Sequence, residues 1–499
     1  MHPVIMTMEK LKKYTTNTYL WIPFTFLLFT VLLYLTSINV MDNDGFFILT
    51  NGRYILKNGV PKTNPFICID GLKIVIQQWS WSVICYKLYE TFGLNAIYIL
   101  CSVILFLTFF VYLKIASVNN VLTGKFLPMA AAAFLPFFLY SSIRPTMITV
   151  CLLMLQCLVM EKYREDNNWA YLLWLIVISF LEINLHSAVW FLHFVFLLPY
   201  LVPPIRNPFL VFRKESINRK PFFLIVPIMA AVGFLNPYGL EGILYIVQSY
   251  GKELKDANIN ELSAPSYSNI GICFMVVMLI LFLWITVHRK DEISSSKFYL
   301  LCGTSIMGIM HVRNLVYFLF GALIFLIEIV RIQPVKTEVN IRLNKHSMKL
   351  LSICSILLLC SCISGIGSNL SKSCINKPTN NDMTPVKAVE YLDKYAPKDA
   401  KIYTGFNNGG YFEWNGYKCF VDARPELYFK SINKKADIFK DYTCLHSGTD
   451  ASKLKKLLDK YDFDYLCVTN DTVNTYLATS TDYNMVLMED DYTLYEKNR

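Results

Sequence analysis

The sequence predicts a helical membrane protein that crosses the bilayer many times and ends in a small α/β domain. Of its 499 residues 54% are hydrophobic and only 17% are charged, whereas a soluble globular chain carries about a quarter charged residues. Apolar runs long enough to span a bilayer recur between residues 19 and 366. From residue 369 the composition changes, and short helix and strand patterns alternate to the end.

The first apolar run, residues 19–40, follows three basic residues, Lys10, Lys12 and Lys13. It is too long for the core of a signal peptide and has no small-residue cleavage site after it. We interpret it as an uncleaved first span whose basic end lies in the cytoplasm.

Ten further runs predict a membrane domain over residues 1–368 with about eleven spans. These runs are 94–115, 126–143, 146–160, 169–185, 188–202, 222–235, 270–287, 298–310, 315–330 and 348–366. With the N-terminus inside, the short outer connections carry only four basic residues, Arg144, Lys252, Lys255 and Arg313. Most Lys and Arg therefore fall on the inner side, as expected for a multi-pass protein of the cytoplasmic membrane, and the tail falls outside.

Two connections are predicted to be outer loops, the first of them long. Residues 41–92 contain several turn signals and then a segment, 77–89, with the pattern of an amphipathic helix anchored in the interface by Trp79 and Trp81. Residues 236–268 form the second loop, where 239–250 could adopt a similar helix.

The tail, residues 369–499, is predicted to be an extracytoplasmic α/β domain with a mainly parallel sheet. Predicted helices cover 385–395, 411–414, 451–461 and 472–479, and predicted strands cover 401–404, 418–422, 464–469, 484–489 and 492–496. Cys374, Cys419, Cys444 and Cys467 could form disulfides in an oxidising compartment, although their spacing does not decide this.

The stretch on which the functional prediction depends follows the first span. Asp42 and Asp44 flank Asn43 and precede Gly45, where a membrane helix should emerge into water. Two such carboxylates could bind a divalent cation or accept a proton from a substrate hydroxyl. The alternative is a helix end decorated with turn-forming residues.

Basic and polar residues occur at other predicted outer junctions. Arg144 precedes Pro145, and a guanidinium there could hold a phosphate or could extend toward lipid headgroups. His311 and Arg313 interrupt another apolar region and add a second cation.

Glu182 and His186 lie four residues apart near the outer end of the span 169–185 and so share a helix face. The carboxylate could orient the imidazole for metal-binding or acid–base chemistry, or the two could form a purely structural hydrogen bond. His193, seven residues later, is predicted to serve packing alone.

The densest polar cluster of the tail is the segment 420–428, Phe-Val-Asp-Ala-Arg-Pro-Glu-Leu-Tyr. If the strand continues past Asp422, then Asp422, Arg424 and Glu426 alternate onto one face. They could form a structural ladder of ion pairs or a lid over the membrane site.

The order of these stretches resembles the GT-C glycosyltransferases, a superfamily that includes oligosaccharyltransferases, protein O-mannosyltransferases and lipid A aminoarabinose transferases. The resemblance covers most of the chain in layout and only short motifs in detail. It implies that Asp42 or Asp44 is the base or a metal ligand, and that Arg144 and Arg313 hold the phosphate of a polyprenyl-linked donor. His186 becomes an auxiliary site residue.

Together these observations predict transfer of a sugar or related group from a polyprenyl-phosphate carrier to a glycan, lipid or protein acceptor on the outer membrane face. A divalent cation, Mg²⁺ or Mn²⁺, is a possible cofactor held by Asp42 and Asp44. The sequence shows no nucleic-acid-binding module. Two alternatives are open: a transporter or flippase of lipid-linked glycans, and a non-catalytic protein of envelope assembly.

Overall fold

The computed structural model describes residues 43–123, 126–205, 211–213, 215, 217–249, 270–288, 292–332, 364, 384–489 and 491–498. Asp42, the predicted first span and all but one residue of the predicted last span lie outside these ranges, so those predictions are not tested.

The described residues before 333 are mostly helical. The α-helices are α1 (Asn43–Asn58), α2 (Trp79–Phe92), α3 (Leu94–Val118), α4 (Phe126–Phe134), α5 (Thr146–Asp166), α6 (Leu173–Leu185), α7 (Leu192–Val195), α8 (Leu198–Leu201), α9 (Phe222–Val232), α10 (Leu240–Ser249), α11 (Ile270–His288), α12 (Ser295–Met310) and α13 (Leu315–Ile332). Short 3-10 helices cover Leu135–Tyr140, Trp169–Leu172, Ser187–Val189 and Val312–Asn314.

Among the described residues, three helical stretches are long and apolar enough to cross a membrane: Leu94–Val118, Thr146–Asp166 and Val312–Arg331. Shorter apolar helices fall on other predicted spans, so the prediction of eleven spans is not confirmed. Large apolar side chains such as Phe223, Val277 and Trp284 are exposed on these helices. Such a surface is consistent with a membrane protein.

Helices α1 and α2 pack closely because Gly52 has no side chain. A Cβ atom at Gly52 would lie 2.1 Å from the carbonyl oxygen of Ser82. The prediction that tryptophans anchor α2 in the membrane interface is wrong: Trp81 is buried and donates to the Ile143 carbonyl at 2.6 Å, and Trp79 donates to Asn184 Oδ1 at 3.1 Å. Both indoles find protein partners that lie far away in the sequence.

Helix α10 occupies the predicted helical part of the second outer loop. Its Tyr245 is buried among side chains of the tail, whereas Leu240, Leu244 and Val247 are exposed. One face of α10 therefore packs on the tail, and the opposite face is apolar and uncovered within the described chain.

The tail forms an α/β domain, as predicted. Its helices are α14 (Val386–Tyr395), α15 (Gly409–Trp414), α16 (Lys430–Asn433), α17 (Ile438–Ser447), α18 (Ala451–Tyr461) and α19 (Asp471–Ala478), and its strands are β1 (Lys401–Tyr403), β2 (Lys418–Cys419), β3 (Tyr465–Val468), β4 (Tyr483–Met488) and β5 (Thr493–Lys497). A 3-10 helix covers Pro425–Tyr428.

The sheet is mixed, and the prediction of a mainly parallel sheet is wrong for one half of it. The strand order is β2-β1-β3-β5-β4. Strand β1 is parallel to β2 and β3, whereas β5 is antiparallel to both β3 and β4. The connection between β4 and β5 is too short for the crossover that parallel strands need, so the last two strands form a hairpin.

The tail is joined directly to the first outer loop. Ile67 forms a parallel bridge with Cys419, which extends the sheet at its β2 edge, and the ring of Phe46 on α1 meets that of Tyr411 on α15 at 5.0 Å. Cys419, Cys444 and Cys467 are free thiols, whereas Cys374 lies outside the described residues. The tail thus packs on α1 through apolar and backbone contacts.

Candidate functional site

Asp44 and Arg144, which were predicted separately as a base or metal ligand and as a phosphate-binding cation, form an ion pair. Asp44 lies in the first turn of α1, where the helix dipole favours a carboxylate. Its Oδ2 atom is 2.9 Å from Nε of Arg144, with exposed side-chain fractions of 22% for Asp44 and 34% for Arg144. Asp44 therefore lies within the first turn of a helix and not in a turn between elements. Arg144 lies just before the N-terminus of α5 and pairs with the Asp44 carboxylate. The charged pair is partly exposed to solvent.

A buried hydrogen-bonded chain holds His186. Thr149 Oγ1 lies 2.6 Å from Glu182 Oε1 and 2.8 Å from His186 Nδ1, so the hydroxyl bridges the two predicted residues, whose direct separation is 3.9 Å. Thr149 is five residues beyond Arg144, about 7.5 Å along a helix axis. The chain therefore brings His186 to the same end of α5 as the Asp44–Arg144 pair.

The prediction that His193 serves packing alone is wrong. Its Nε2 atom lies 3.2 Å from Glu182 Oε2 and its Nδ1 atom lies 2.7 Å from Gln156 Oε1. The ring is fully buried, and a buried imidazole needs hydrogen-bond partners that spacing along the sequence does not reveal. Polar residues within apolar runs were the only signal available for Gln156 and Thr149.

Arg313 connects the membrane part to the tail. It lies two residues beyond His311, the C-cap residue of α12. Its guanidinium is close enough to act electrostatically on both His186 and Glu426. The pKa of His186 is lowered to about 4. Burial is the main cause and Arg313 adds to it, whereas Glu182 opposes it. The imidazole is therefore neutral at pH 7, beside a permanent cation.

The tail cluster forms differently from the predicted strand. Strand β2 ends at Cys419 and Pro425 starts a 3-10 helix, so no alternating ladder forms. The loop instead folds Arg424 back onto Asp422, with Nε 3.0 Å from Asp422 Oδ1 and a further contact from Nη2 to Oδ2. The two side chains pair through a turn.

Arg424 also reaches helix α1 and helix α15. Its Nη1 atom donates to Asn51 Oδ1 at 3.3 Å, and its Nη2 atom lies 3.4 Å from both carboxyl oxygens of Glu413. We call Asn51, Glu413, Asp422 and Arg424 the tail clamp. Asn51 and Glu413 were not predicted from the sequence, because their contacts with Arg424 depend on how α1 and α15 pack together.

The two carboxyl groups of the tail clamp differ in protonation. Burial raises the pKa of Glu413 well above its usual range, and the nearby Asp422 raises it further. Burial also opposes ionisation of Asp422, but the Arg424 guanidinium outweighs that effect and lowers the pKa of Asp422. Asp422 is therefore the partner that carries the negative charge, and Glu413 retains its proton to higher pH.

Glu426 lies near both the tail clamp and the helices that precede residue 333. It interacts electrostatically with the buried Tyr245 of α10 and with Arg313. Burial raises the pKa of Glu426, and the cations Arg424 and Arg313 oppose this rise. Glu426 is thus the member of the predicted tail cluster that adjoins the candidate site.

A separate charged cluster lies near the other end of α5. Lys297 is fully buried, with Nζ 2.6 Å from Asn119 Oδ1, 3.0 Å from Glu328 Oε2 and 3.6 Å from Glu161 Oε2. Glu161 is twelve residues beyond Thr149, about 18 Å along the helix. This cluster, which sequence analysis missed, is distinct from the candidate site and ties together α3, α5, α12 and α13.

No group of three or more His, Cys, Asp or Glu residues within the described ranges is arranged to hold a metal ion. Of the two predicted ligands, Asp44 forms an ion pair with Arg144, and Asp42 lies outside the described residues. The described donor set does not by itself fit a divalent cation, and the predicted Mg²⁺ or Mn²⁺ stays untested.

The candidate site thus consists of the Asp44–Arg144 ion pair and, toward the same end of α5, His186 with Arg313 close enough to act on it and on Glu426. Solved structures share the overall fold of the chain. The chain matches the oligosaccharyltransferase of Archaeoglobus fulgidus tethered to an acceptor peptide, with a TM-score of 0.56 and 7% identity, over 96% of this chain and 74% of that one.

The chain has an oligosaccharyltransferase-like fold. The apo form of the same enzyme matches with a TM-score of 0.52 and 9% identity, over 88% of this chain and 69% of the other. No protein-family model and no curated protein sequence matches the chain. At such low identity the likeness concerns the fold alone, so the chemistry has to be argued from the site.

Proposed function

We propose that the protein transfers a sugar or related group from a polyprenyl-phosphate-linked donor to an envelope acceptor at the outer face of the cytoplasmic membrane. The observation that carries this proposal is the Asp44–Arg144 ion pair, on the same end of an oligosaccharyltransferase-like fold as His186 and Arg313. A carboxylate that can take a proton stands beside cations that can bind phosphate. Transfer from a lipid phosphate needs both.

The proposed step is an inverting displacement at the anomeric carbon. The acceptor heteroatom forms a bond to that carbon while the carbon–oxygen bond to the carrier phosphate breaks and its electron pair leaves with the phosphate. Asp44 takes the acceptor proton. Arg144 and Arg313 stabilise the negative charge that develops on the departing phosphate oxygen.

The architecture suits such a donor. The lipid tail of the carrier stays in the bilayer beside the apolar helices, while its phosphate meets the two guanidinium groups at the helix ends. The acceptor would arrive from the aqueous side, under the tail. No step above depends on a metal.

The test is complementation of a strain that lacks this protein, followed by mass spectrometry of its envelope glycans and lipids. Asp44→Asn should reduce the modification that the wild-type gene restores by about a hundredfold or more, because the acceptor loses its base. Asp70→Asn is the matched control, since Asp70 is an exposed carboxylate of the same outer loop. Immunoblots of the membranes establish equal protein levels.

Arg144→Gln should also lower the modification, through loss of phosphate stabilisation. Full modification by Asp44→Asn at normal protein level would refute the assigned role of Asp44. An envelope that does not change when the whole protein is removed would refute the transferase function itself.

A further inference from the structure

The hydrogen atoms around His186 can be assigned by counting donors and acceptors. The Thr149 hydroxyl carries one proton and lies between Glu182 Oε1 at 2.6 Å and His186 Nδ1 at 2.8 Å. A contact to the Pro145 carbonyl is longer, at 3.4 Å. If the hydroxyl proton goes to the carboxylate, the hydroxyl oxygen is left to accept, and His186 Nδ1 must donate.

The other side of Glu182 decides which way the Thr149 proton points. Gln156 Nε2 donates to the His193 carbonyl at 3.0 Å, which fixes the amide so that Gln156 Oε1 accepts from His193 Nδ1. One proton must then lie between His193 Nε2 and Glu182 Oε2, which are 3.2 Å apart. Whether it resides on nitrogen or oxygen, the buried pair has no net charge.

The opposite arrangement would place a proton on Glu182 Oε1, pointing at Thr149. His193 Nε2 would then face Oε2 with two lone pairs opposed, or the pair would carry an uncompensated positive charge. Both side chains are fully buried, where either defect costs several kcal/mol. Glu182 Oε1 therefore accepts from Thr149.

We infer that Thr149 and Glu182 are positioning residues that hold His186 in the Nδ1-protonated tautomer, so that Nε2 presents a lone pair to a hydroxyl group of the bound sugar. This inference rests on the proposed function and assigns an acceptor role to a group beside Arg313. The side chain of His186 is 17% exposed, and no described residue accepts from or donates to its Nε2 atom. The low pKa of His186 agrees with a neutral ring.

In this arrangement Arg313 and His186 have opposite hydrogen-bonding roles. Arg313 can only donate hydrogen bonds, whereas neutral His186 in this tautomer can only accept at the ring atom that the protein leaves available. A sugar hydroxyl can accept from Arg313 and donate to His186. The Nε2-protonated tautomer of His186 would offer the hydroxyl a second donor and no acceptor. Thr149 thereby selects the tautomer of His186 without contacting the substrate.

The decisive experiment is nitrogen NMR on the full chain, labelled with ¹⁵N-histidine and reconstituted in nanodiscs. The chain has seven histidines, and His186→Asn identifies the resonances of His186 by their loss. The wild type should show a protonated Nδ1 and an unprotonated Nε2 for this ring. In Thr149→Val, which keeps the shape but lacks the hydroxyl, the ring should populate both tautomers, and Thr149→Ser should restore the wild-type spectrum.

Activity provides the second measurement. Thr149→Val should lower kcat by about tenfold to a hundredfold, as loss of an orienting partner does at other sites, and Thr149→Ser should stay within a few-fold of wild type. Thr286→Val is the control for loss of a buried hydroxyl, since Thr286 donates only to the Phe282 carbonyl within its own helix at 2.7 Å.

A wild-type ring protonated at Nε2, or an unchanged His186 spectrum in Thr149→Val, would overturn the inference. The spectra do not depend on turnover, so they can support the tautomer even if Asp44→Asn leaves the envelope unaltered. Conversely, loss of activity in Asp44→Asn together with a ring protonated at Nε2 would refute only the positioning role.

Discussion

Replacement of Arg424 by methionine tests the tail clamp. The guanidinium has 10% of its side chain exposed and lies against two carboxyl groups that are completely buried. Methionine preserves much of the volume between the rings of Phe47 and Phe66, whose centroids lie 5.2 and 5.7 Å from the guanidinium carbon. The loss is therefore mainly one of charge.

The expected cost follows from the partner that remains. Removal of one member of a buried ion pair leaves an uncompensated charge and costs about 3–5 kcal/mol. In Arg424→Met the group left without its partner is Asp422, which must either remain charged while buried or take up a proton, because Arg424 is what stabilises its ionised form. Asp422→Asn combined with Arg424→Met should cost less than the two single substitutions added together, since no charge is then left alone.

Cys419 reports on the clamp directly, because its thiol is buried beside Glu413. The rate at which a thiol reagent labels Cys419, measured by mass spectrometry of its peptide, follows the free energy of local opening when closing is fast. A cost of about 3–5 kcal/mol corresponds to a rise of roughly two to four orders of magnitude in this rate.

Lys387→Met is the control, because it removes an exposed ion pair with Glu489 in the same domain and should cost less than about 1 kcal/mol. Equal labelling of Cys419 in Arg424→Met and Lys387→Met would refute the reasoning, since it would mean that Arg424 is not the charge that keeps this region closed.

Two further outcomes are expected for stability. Gly52→Ala should lower the thermal midpoint of the purified protein, because the added Cβ forces α1 away from α2. Gly303→Ala in α12 should leave the midpoint unchanged or raise it, with a gain of up to about 1 kcal/mol in the free energy of unfolding, because a Cβ there meets no atom within 4 Å. A drop in midpoint as large for Gly303→Ala as for Gly52→Ala would contradict the packing argument. The pH dependence separates the clamp carboxyls. The lowered pKa of Asp422 gives stability that is present above about pH 4 and disappears at lower pH, whereas the raised pKa of Glu413 means that its ionisation costs stability as pH rises. Glu413→Gln should therefore match or exceed the wild-type midpoint at pH 7.5, where Asp422→Asn should fall below it, and the reverse order would refute the assignment of charges.

The sequence by itself determined the features that are local. Composition and apolar runs are enough to predict a membrane protein, because a span requires about twenty apolar residues in succession. Alternating patterns predicted the α/β tail, and charged residues beside apolar runs drew attention to Asp44, Arg144 and Arg313. Glu182 and His186 could be placed on one helix face because four residues make about one turn.

The tertiary structure decided which of these residues meet. Asn51 and Arg424 are in contact although 373 positions separate them, and His193 reaches Glu182 only because the chain folds back after α6. Periodicity describes one face of one element and contains no information about the element that will cover it. The tail clamp, the hydrogen bonds around Glu182 and the antiparallel half of the sheet therefore depend on packing between distant segments, which the structure alone shows.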